Sequence, residues 1–252
     1  MATGLETTIS MLKTLNMYHT SEVLNDLFEK AREKSLTYEK FLEETLNGEI
    51  KGREKRKLEK RLKLASFPEY KTLSEFNLSE QQSLSQKQLN QLKELIWLEQ
   101  GYNIIFLGPP GVGKTHLAQG IGIEAINNGY KVKFSTMADL VHILKTQEIS
   151  SVSRNTVKRI VESDLLIIDD LMFMAMEKHE ANLFFQLINK LYGQTSVVIT
   201  SNKSPETWGE LLGDQAITTA ILDRIVHKCE VINFFNDESY RIKHRKTIFD
   251  EN

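Results

Sequence analysis

Cysteine is nearly absent from this sequence, and long apolar runs are missing altogether. The 252 residues include one cysteine, Cys229, which excludes an intrachain disulfide framework and a metal site built from several cysteines. No apolar run approaches the roughly 18 residues that a membrane-spanning helix needs, and the N-terminus has no signal-peptide pattern. We therefore expect a cytoplasmic protein with no membrane partner. Cys229 lies in an apolar, strand-like stretch, so we interpret it as a small core residue and not as a nucleophile.

The chain also lacks an excess of charge of either sign. Its formal net charge is −2 and 40% of its residues are hydrophobic, which is typical of a soluble globular protein and not of a disordered one. The length fits one or two domains with a substantial core. Nothing in the overall composition points to nucleic acid, so evidence for such a partner must be local.

The first 65 residues contain no proline and only three glycines, and their apolar residues recur at helical spacing. We therefore predict a small all-helical domain over residues 1–65. One helix is expected to follow Thr20 or Ser21 as its cap, and another to follow Thr37. The apolar faces would be Leu24, Leu27, Phe28 and Ala31 on the first helix, and Phe41, Leu42, Thr45 and Leu46 on the second.

A strongly basic run occupies residues 51–64, where eight lysines and arginines against two glutamates leave a net charge of +6. Such runs are usually solvated helix faces with some ion pairing between successive turns. The alternative is contact with the phosphates of nucleic acid. The candidates for that contact are Arg56, Lys57, Lys60 and Arg61.

Pro68 and a Ser-rich polar stretch interrupt the helical pattern over residues 66–85, which we interpret as a linker or as a strap across the next domain. A helix is expected from Gln86 to Gln100, at the start of a second domain that would cover residues 86–252. Apolar strand-like stretches then alternate with helical patterns, and this alternation predicts a parallel sheet with helices on both faces. The five candidate strands are residues 103–107, 131–135, 164–170, 195–200 and 229–234.

The loop from Gly108 to Thr115 fits the phosphate-binding pattern G-x-x-x-x-G-K-[ST] at every fixed position. A buried strand precedes it and an apolar-periodic helix follows it, which is the context that the pattern requires. Backbone N–H groups of such a loop converge on phosphate oxygens, and the helix dipole adds to the attraction. Lys114 would reach the β- and γ-phosphates, and the Thr115 hydroxyl would bind Mg²⁺.

Polar side chains end two of the candidate strands, at the sheet edge where ligands of such folds bind. Asp169 and Asp170 follow one apolar run, and Asn202 follows another. Asp169 would hold Mg²⁺ through its water shell, while Asp170 would orient and polarise the attacking water. Asn202 would lie within reach of the γ-phosphate. Taken alone, each is more often a solvated strand end or a turn residue; together with the loop, the functional interpretation is favoured.

The order of these motifs along the chain resembles that of AAA+ ATPases of the initiator and helicase-loader type. More narrowly, the chain resembles the IstB family of ATP-binding helpers of insertion-sequence transposases, and their relative DnaC. The resemblance covers roughly residues 60–245. It rests on FPEYKTL (67–73), GPPGVGKTHLA (108–118), TSN (200–202), ILDRIVH (221–227) and SYRIK (239–243).

The resemblance implies an AAA+ fold and a role for each motif residue. Lys114 and Thr115 would be the Walker A residues, Asp169 and Asp170 the Walker B pair, and Asn202 a sensor of the γ-phosphate. Arg224 would be an arginine finger offered to a neighbouring subunit's ATP, and Arg241 would be a second sensor. The implied nucleotide-binding residues are Gly108, Pro109, Pro110, Gly111, Val112, Gly113, Lys114, Thr115, His116 and Arg241.

Two departures from the family pattern concern hydrolysis. Many relatives have glutamate where this chain has Asp170, whose side chain is one methylene shorter, so hydrolysis is expected to be slow. The glycine common shortly after the acidic pair is replaced by Met172-Phe173-Met174.

By this resemblance the protein would be an ATP- and Mg²⁺-dependent ATPase that self-assembles on ATP and double-stranded DNA and helps a cognate transposase to select target DNA. A DnaC-like replicative helicase loader is the alternative within the same clade, and a metabolic P-loop kinase is the alternative from another class. Three features disfavour the kinase, because a small-molecule kinase requires none of them. They are the second carboxylate Asp170, the arginine finger Arg224 that would act on a neighbouring subunit, and the basic helix. Initiator-type relatives carry an extra DNA-facing helix, and this places a competing DNA site at Arg154, Lys158 and Arg159.

Overall fold

The structure, a computed structural model, describes residues 4–171, 176–208 and 214–243. Within these ranges, none of the helices combines the length and the apolar character that crossing a membrane requires. The chain forms two compact units, Met1–Lys60 and Arg61–Asn252. The assignment of functional domains to residues 1–65 and 86–252 stays a prediction.

The N-terminal elements are helical, as predicted: α1 (Gly4–Thr14), α2 (Tyr18–Glu33) and α3 (Tyr38–Ala65). The predicted cap of α2 is wrong, because the helix begins at Tyr18 and encloses Thr20 and Ser21. Instead of capping, Thr20 donates both its backbone N–H (2.9 Å) and its hydroxyl (3.1 Å) to the buried carboxylate of Glu49. Thr37 does accept from the N–H of Lys40 (3.3 Å), as expected of a residue at the start of α3.

The predicted apolar face of α3 is wrong in part. Phe41 stacks on Phe28 with ring centroids 5.8 Å apart, and Thr45 is buried. Leu42 and Leu46, however, are 56% and 45% exposed. Their positions follow one another by a single helical turn, so they form a stripe beside the buried face and not part of it.

The second unit contains a five-stranded parallel sheet with the order β2-β3-β4-β1-β5, which confirms the predicted sheet. The strands are β1 (Asn103–Leu107), β2 (Val132–Thr136), β3 (Leu165–Asp169), β4 (Ser196–Ser201) and β5 (Cys229–Asn233). The longer helices of this unit are α6 (Lys114–Asn127), α7 (Met137–Thr146), α8 (Ser151–Val161), α9 (Lys178–Leu191) and α10 (Gln215–Val226).

Alternate residues of the central strands pack against helices on opposite faces of the sheet. Ile105, Leu166 and Ile168 join the core that α7, α8, α9 and α10 cover, while Ile167 lies against α6 at Gly122. The strands are apolar on both faces because both faces are covered. Cys229 borders the first of these cores, and burial raises the pKa of its thiol to about 12, which agrees with a structural role.

The predicted helix over residues 86–100 is interrupted at Leu95, so that α4 (Gln86–Glu94) ends there and α5 (Ile96–Glu99) begins. Leu95 has φ +59° and is only 3% exposed. A left-handed backbone is unfavourable for leucine, and the burial of its side chain offsets that cost. The indole N–H of Trp97 donates to the carbonyl of Leu92 (3.1 Å) across the break.

The segment 66–85 lies along α6 and contains two short 3₁₀ helices, Leu73–Glu75 and Leu78–Glu80. A β-carbon at Gly120, in the middle of α6, would lie 2.6 Å from Leu73 Cδ2. Glycine within a helix costs about 1 kcal/mol relative to alanine. Here the missing side chain allows the segment to approach the helix backbone, and Leu73 is buried as a result.

Candidate nucleotide-binding site

The phosphate loop connects β1 to α6 and places Lys114 at the first position of that helix. Gly113, the residue before it, has φ +97°, and a β-carbon there would lie 2.8 Å from Phe76 Cε2. Only glycine combines this backbone with so close a neighbour. The loop can therefore turn its backbone N–H groups toward an anion at the N-terminus of α6.

Lys114 is folded back onto its own loop. Its ammonium donates to the carbonyls of Gly108 (2.7 Å) and Pro109 (2.9 Å), and the residue is 7% exposed. Burial lowers the pKa of Lys114, and the nearby carboxylates of Asp170 and Asp169 oppose that effect. Neutral carbonyls are weak partners for a buried ammonium, so an anion in the cleft would bind this group more strongly.

Three side chains and one backbone N–H, at the ends of β3 and β4 and in the loop, form one hydrogen-bonded network. The Thr115 hydroxyl donates to Asp169 (2.9 Å), and the Thr200 hydroxyl donates to the same carboxylate (2.6 Å). Thr200 also accepts from the backbone N–H of Asp170 (2.9 Å). Thr200 therefore fixes both acidic residues, a role that was not predicted. Its sequence signals are its position at the end of an apolar strand and its place in the TSN motif, but the pairing of β3 with β4, on which the role depends, cannot be read from the sequence.

Asp169 and Thr115 have the chemistry of a magnesium site. They present a carboxylate and a hydroxyl in direct contact, and Mg²⁺ prefers a few protein oxygens of this kind together with water and phosphate. Burial raises the pKa of Asp169, while the hydrogen bonds from Thr200 and Thr115 oppose that rise. Without a cation, the ionised carboxylate is therefore held at a cost to the folded protein.

Replacing Asp169 with asparagine should accordingly stabilise the nucleotide-free protein at neutral pH. The pKa of Asp169 is higher in the folded than in the unfolded protein. The wild type therefore loses stability as pH rises from the unfolded-state pKa through the folded-state pKa. The thermal midpoint of Asp169→Asn should exceed that of the wild type at pH 7.5, by about 2–4 °C for each kcal/mol gained. The difference should vanish below pH ~4.

Asp164→Asn is the matched control, because it removes an exposed carboxylate just before the same strand. It should give no comparable gain. A lower midpoint for Asp169→Asn at pH 7.5 would contradict a burial penalty on the carboxylate. The measurement is thermal unfolding followed by circular dichroism across pH 3.5–8.

A cleft of about 680 Å³ joins the loop to the ends of β3 and β4 and to the C-terminal helix α11 (Tyr240–Lys243). Asp170, exposed and with φ +53°, lines it together with Asn202 and Arg241. The predicted residues that line the cleft are Pro110, Gly111, Gly113, Lys114, Thr115, His116, Asp170, Asn202 and Arg241. Gly108 and Pro109 do not line the cleft, but their carbonyls accept hydrogen bonds from the Lys114 ammonium. Val112 is fully buried.

The opposite wall of the cleft comes from the segment 66–85 and was not predicted as part of the site. His116 Nε2 lies 2.8 Å from the carbonyl of Thr72, and its ring meets the edge of Phe76 with centroids 5.4 Å apart. The further lining residues from this wall and from α6 are Pro68, Glu69, Lys71, Glu75, Asn77, Gln81 and Gln119. The interpretation of residues 66–85 as a strap across the next domain did not extend to contact with the phosphate loop, because no motif spacing links the two segments.

Arg224 lies at the amino-terminal ends of the strands, opposite the cleft. It lines a cavity together with Asn103 and Ser196, which begin β1 and β4, whereas the phosphate loop follows the end of β1. Its Nε donates to Asn189 (3.0 Å), and its guanidinium lies 4.9 Å from the ring centre of Phe185. Throughout the described ranges, no ion pair includes Arg224.

The candidate DNA-binding residues fall outside the cleft. Arg56 is bound to Glu49 (3.1 Å), whereas Lys57 and Lys60 are exposed. Arg61 is half-buried. In the competing set, Arg154 donates to the carbonyl of Glu148 (2.9 Å), Lys158 pairs with Glu162 (3.8 Å), and Arg159 is exposed. Met172-Phe173-Met174 lie outside the described residues.

The sheet order and the cleft at the carboxyl ends of β1, β3 and β4 define a P-loop protein of the AAA+ class. Within that class, the chain belongs to the family of IstB-like ATP-binding proteins, whose model matches residues 10–248.

Relatives with similar sequences are named for insertion sequences. The chain is 38% identical to an IS21-like insertion-sequence protein of Bacteroides fragilis, named for ATP binding, over 96% of this chain and 91% of that protein. It is also 38% identical to the corresponding IS21 protein of Pseudomonas aeruginosa, over 94% of this chain and 89% of that one.

Solved structures extend the likeness of the fold to replication proteins. DnaA of Aquifex aeolicus, in a structure bound to AMPPCP, matches with a TM-score of 0.54 and 25% identity over 70% of this chain and 53% of the DnaA chain. The DnaC helicase loader matches with a TM-score of 0.50 and 23% identity over 63% of this chain and 96% of that one. This chain thus spans about half of DnaA and nearly all of the loader.

Proposed function

We propose that this protein is an ATPase that binds ATP with Mg²⁺ in the cleft, assembles with copies of itself on double-stranded DNA, and helps a transposase to engage its target. The observation that carries the proposal is the cleft itself, where Lys114, Thr115, Asn202 and Arg241 meet in a chain of the IstB-like ATP-binding family. The insertion-sequence names of its relatives support the link to transposition.

Binding would exchange the partners of Lys114. In the free subunit the ammonium is held by two carbonyls of the loop, and a triphosphate would offer it anionic oxygens instead. The loop N–H groups and the N-terminus of α6 would bind the same phosphates. Asn202 and Arg241 line the cleft and would contact the γ-phosphate, which only ATP carries.

Thr115 and Asp169 would bind the cation from one side. A bound Mg²⁺ would neutralise part of the phosphate charge. The oxygen of the Thr115 hydroxyl, which now donates its hydrogen to Asp169, would face the cation. The positive charge of the cation would offset the cost of burying the ionised Asp169 carboxylate. Thr200 would keep Asp169 in place throughout, because its hydroxyl donates to the Asp169 carboxylate and accepts from the backbone N–H of Asp170.

Hydrolysis would depend on Asp170, which lines the cleft but makes no side-chain contact to Thr115 or Thr200. From there its carboxylate would orient water for attack on the γ-phosphate. An aspartate reaches less far than a glutamate, so we expect slow turnover that DNA or a partner stimulates. Arg224, which lies at the amino-terminal ends of the strands, would serve the ATP of a neighbouring subunit.

The direct test of the proposed site is Lys114→Ala. We expect ATP affinity to fall by at least tenfold, because the variant loses the mobile charge on the phosphates. Titration calorimetry with ATP and Mg²⁺ measures it, and the exposed Lys87→Ala is the control that should bind normally. Unchanged affinity and turnover in Lys114→Ala would refute a nucleotide site at this loop.

Partner choice is tested by light scattering and electron microscopy with ATP, with and without duplex DNA, beside purified transposase and replicative helicase. We expect ATP-dependent multimers on duplex DNA that bind the transposase. Multimers that bind the helicase and single-stranded DNA instead would identify a helicase loader. Phosphoryl transfer to a small acceptor, in place of water, would identify a kinase.

We also expect DNA affinity to fall steeply with salt, through counterion release. Lys57 and Lys60 are the sharper test of the basic run, because Arg56 is already bound to Glu49. Lys57→Gln with Lys60→Gln should lower the slope of log affinity against log salt by about 2, roughly 0.9 for each lost phosphate contact. Lys158→Gln with Arg159→Gln is the matched pair in the competing site. If only the second pair lowers the slope, the N-terminal assignment is wrong.

A further inference from the structure

Two amide oxygens beside the cleft lack hydrogen-bond partners. Within the described part of the chain, Gln81 Oε1 and Gln119 Oε1 are buried without a donor, and Gln119 as a whole is only 2% exposed. A buried acceptor that is left without a donor destabilises the protein. Both glutamines line the cleft, so a molecule bound there would bring a hydrogen-bond donor close to them.

The two glutamines lie on the wall that the segment 66–85 and α6 form together. Gln119 follows His116 by three residues and Thr115 by four, so it lies on the same side of α6 as both. A β-carbon at Gly113 would lie 2.8 Å from Phe76 Cε2 and 3.8 Å from Gln81 Nε2, which places Gln81 beside the Phe76 ring. Amide groups beside aromatic rings suit a planar heterocycle with polar edges.

We propose that Gln81 and Gln119 are specificity-determining residues, which select adenine by accepting hydrogen bonds from its exocyclic amine. The proposal rests on ATP binding at the phosphate loop. Adenine carries two amine hydrogens at this position, which match two acceptors, and glutamine is a suitable partner for its donor and acceptor edge. Guanine carries a carbonyl there, which would leave both buried oxygens unpaired.

The experiment compares ATP with purine riboside triphosphate, which is ATP without the exocyclic amine. With full-length wild-type protein and Mg²⁺, we expect ATP to bind about 10- to 100-fold more tightly in titration calorimetry. GTP should bind more weakly than ATP as well. This comparison requires no substitution, so it holds whether or not a variant folds.

Gln119→Met then links the preference to the side chain, because methionine is similar in length and has no amide. It should lower ATP affinity by most of that factor and leave the affinity for purine riboside triphosphate unchanged, so that the ratio approaches one. Gln81→Met should act in the same direction. Gln86→Met, at an exposed glutamine on α4 that does not line the cleft, should keep the wild-type ratio. Thermal unfolding checks that each variant is folded.

Two kinds of failure are distinct. If the wild type binds none of the nucleotides, the proposed function fails and this inference fails with it. If the wild type binds ATP but binds purine riboside triphosphate or GTP equally well, only the base-selecting role is overturned. The same holds if folded Gln119→Met and Gln81→Met both keep the wild-type ratio.

Discussion

Arg224→Ala should leave ATP binding by the isolated subunit nearly unchanged and lower DNA-stimulated hydrolysis by about 10³- to 10⁵-fold, the range known for arginine fingers. ATP-dependent assembly should be lost with it. Titration calorimetry, phosphate release and light scattering measure the three quantities. The expected separation of binding from turnover is what distinguishes Arg224 from a residue that contacts its own subunit's nucleotide.

The physical reason is distance. Arg224 lies beside residues that begin β1 and β4, while the phosphate loop follows the end of β1, so the length of the sheet separates them. Its guanidinium is oriented by Asn189 and by the ring of Phe185, and no carboxylate among the described residues neutralises it. A neighbour's γ-phosphate would favour the assembled state, since it binds this charge only there.

Mixing variants tests the action across an interface. Arg224→Ala subunits combined with Lys114→Ala subunits should recover part of the activity, because a mixed interface can pair an intact loop with an intact finger. Arg224→Lys keeps the charge without the planar fork and should recover little. Mixed multimers that stay as inactive as either variant alone would show that Arg224 has another role, such as holding α9 and α10 together through Asn189.

Asp170→Asn should preserve ATP binding and assembly and reduce hydrolysis by about 10²- to 10⁴-fold, as expected when a group that activates water is lost. The backbone should tolerate the change, because asparagine adopts the left-handed conformation at φ +53° as readily as aspartate. The backbone N–H would still donate to Thr200. Single-turnover hydrolysis, measured beside calorimetric binding, separates the two effects.

Asp170→Glu is the informative companion, because it lengthens the side chain by one methylene and keeps the carboxylate. It should hydrolyse ATP at least as fast as the wild type if reach limits turnover, although glutamate accepts the left-handed backbone less readily. If Asp170→Asn loses ATP binding, its carboxylate belongs to the cation shell. Turnover that is unchanged in Asp170→Asn would assign the activation of water to a different group.

The sheet was predictable because each strand is a short apolar run bounded by polar residues, and because the phosphate loop fixed one connection. Helix boundaries were less so. The stretch from Gln147 to Asn155 is polar and resembles a connection in the sequence, yet α8 begins within it at Ser151. The side chain of Ser150 caps this helix by accepting a hydrogen bond from the N–H of Ser153 (3.3 Å). The break at Leu95 has no glycine or proline to mark it, and burial of the leucine holds the unfavourable backbone.

The position of the phosphate loop was predictable because one local pattern carries it, and the nucleotide-binding roles of Lys114 and Thr115 stay predictions. The geometry places Asp170, Asn202 and Arg241 in the same cleft, and their roles there stay predictions. Thr200, Gln81 and Gln119 were missed because their surroundings depend on contacts between distant segments. Gln119 reads as an ordinary helix residue until the segment 66–85 is laid against α6.

The C-terminal helix is fastened to the phosphate loop by the backbone. The N–H of Tyr240 donates to the carbonyl of Gly111 (3.0 Å), and Ser239 lies against the same glycine. A loop that rearranges around a nucleotide must either take α11 along or break this bond. A change in the loop would therefore be transmitted to α11 through this bond, so a partner that contacts α11 would respond to nucleotide binding without contacting the nucleotide.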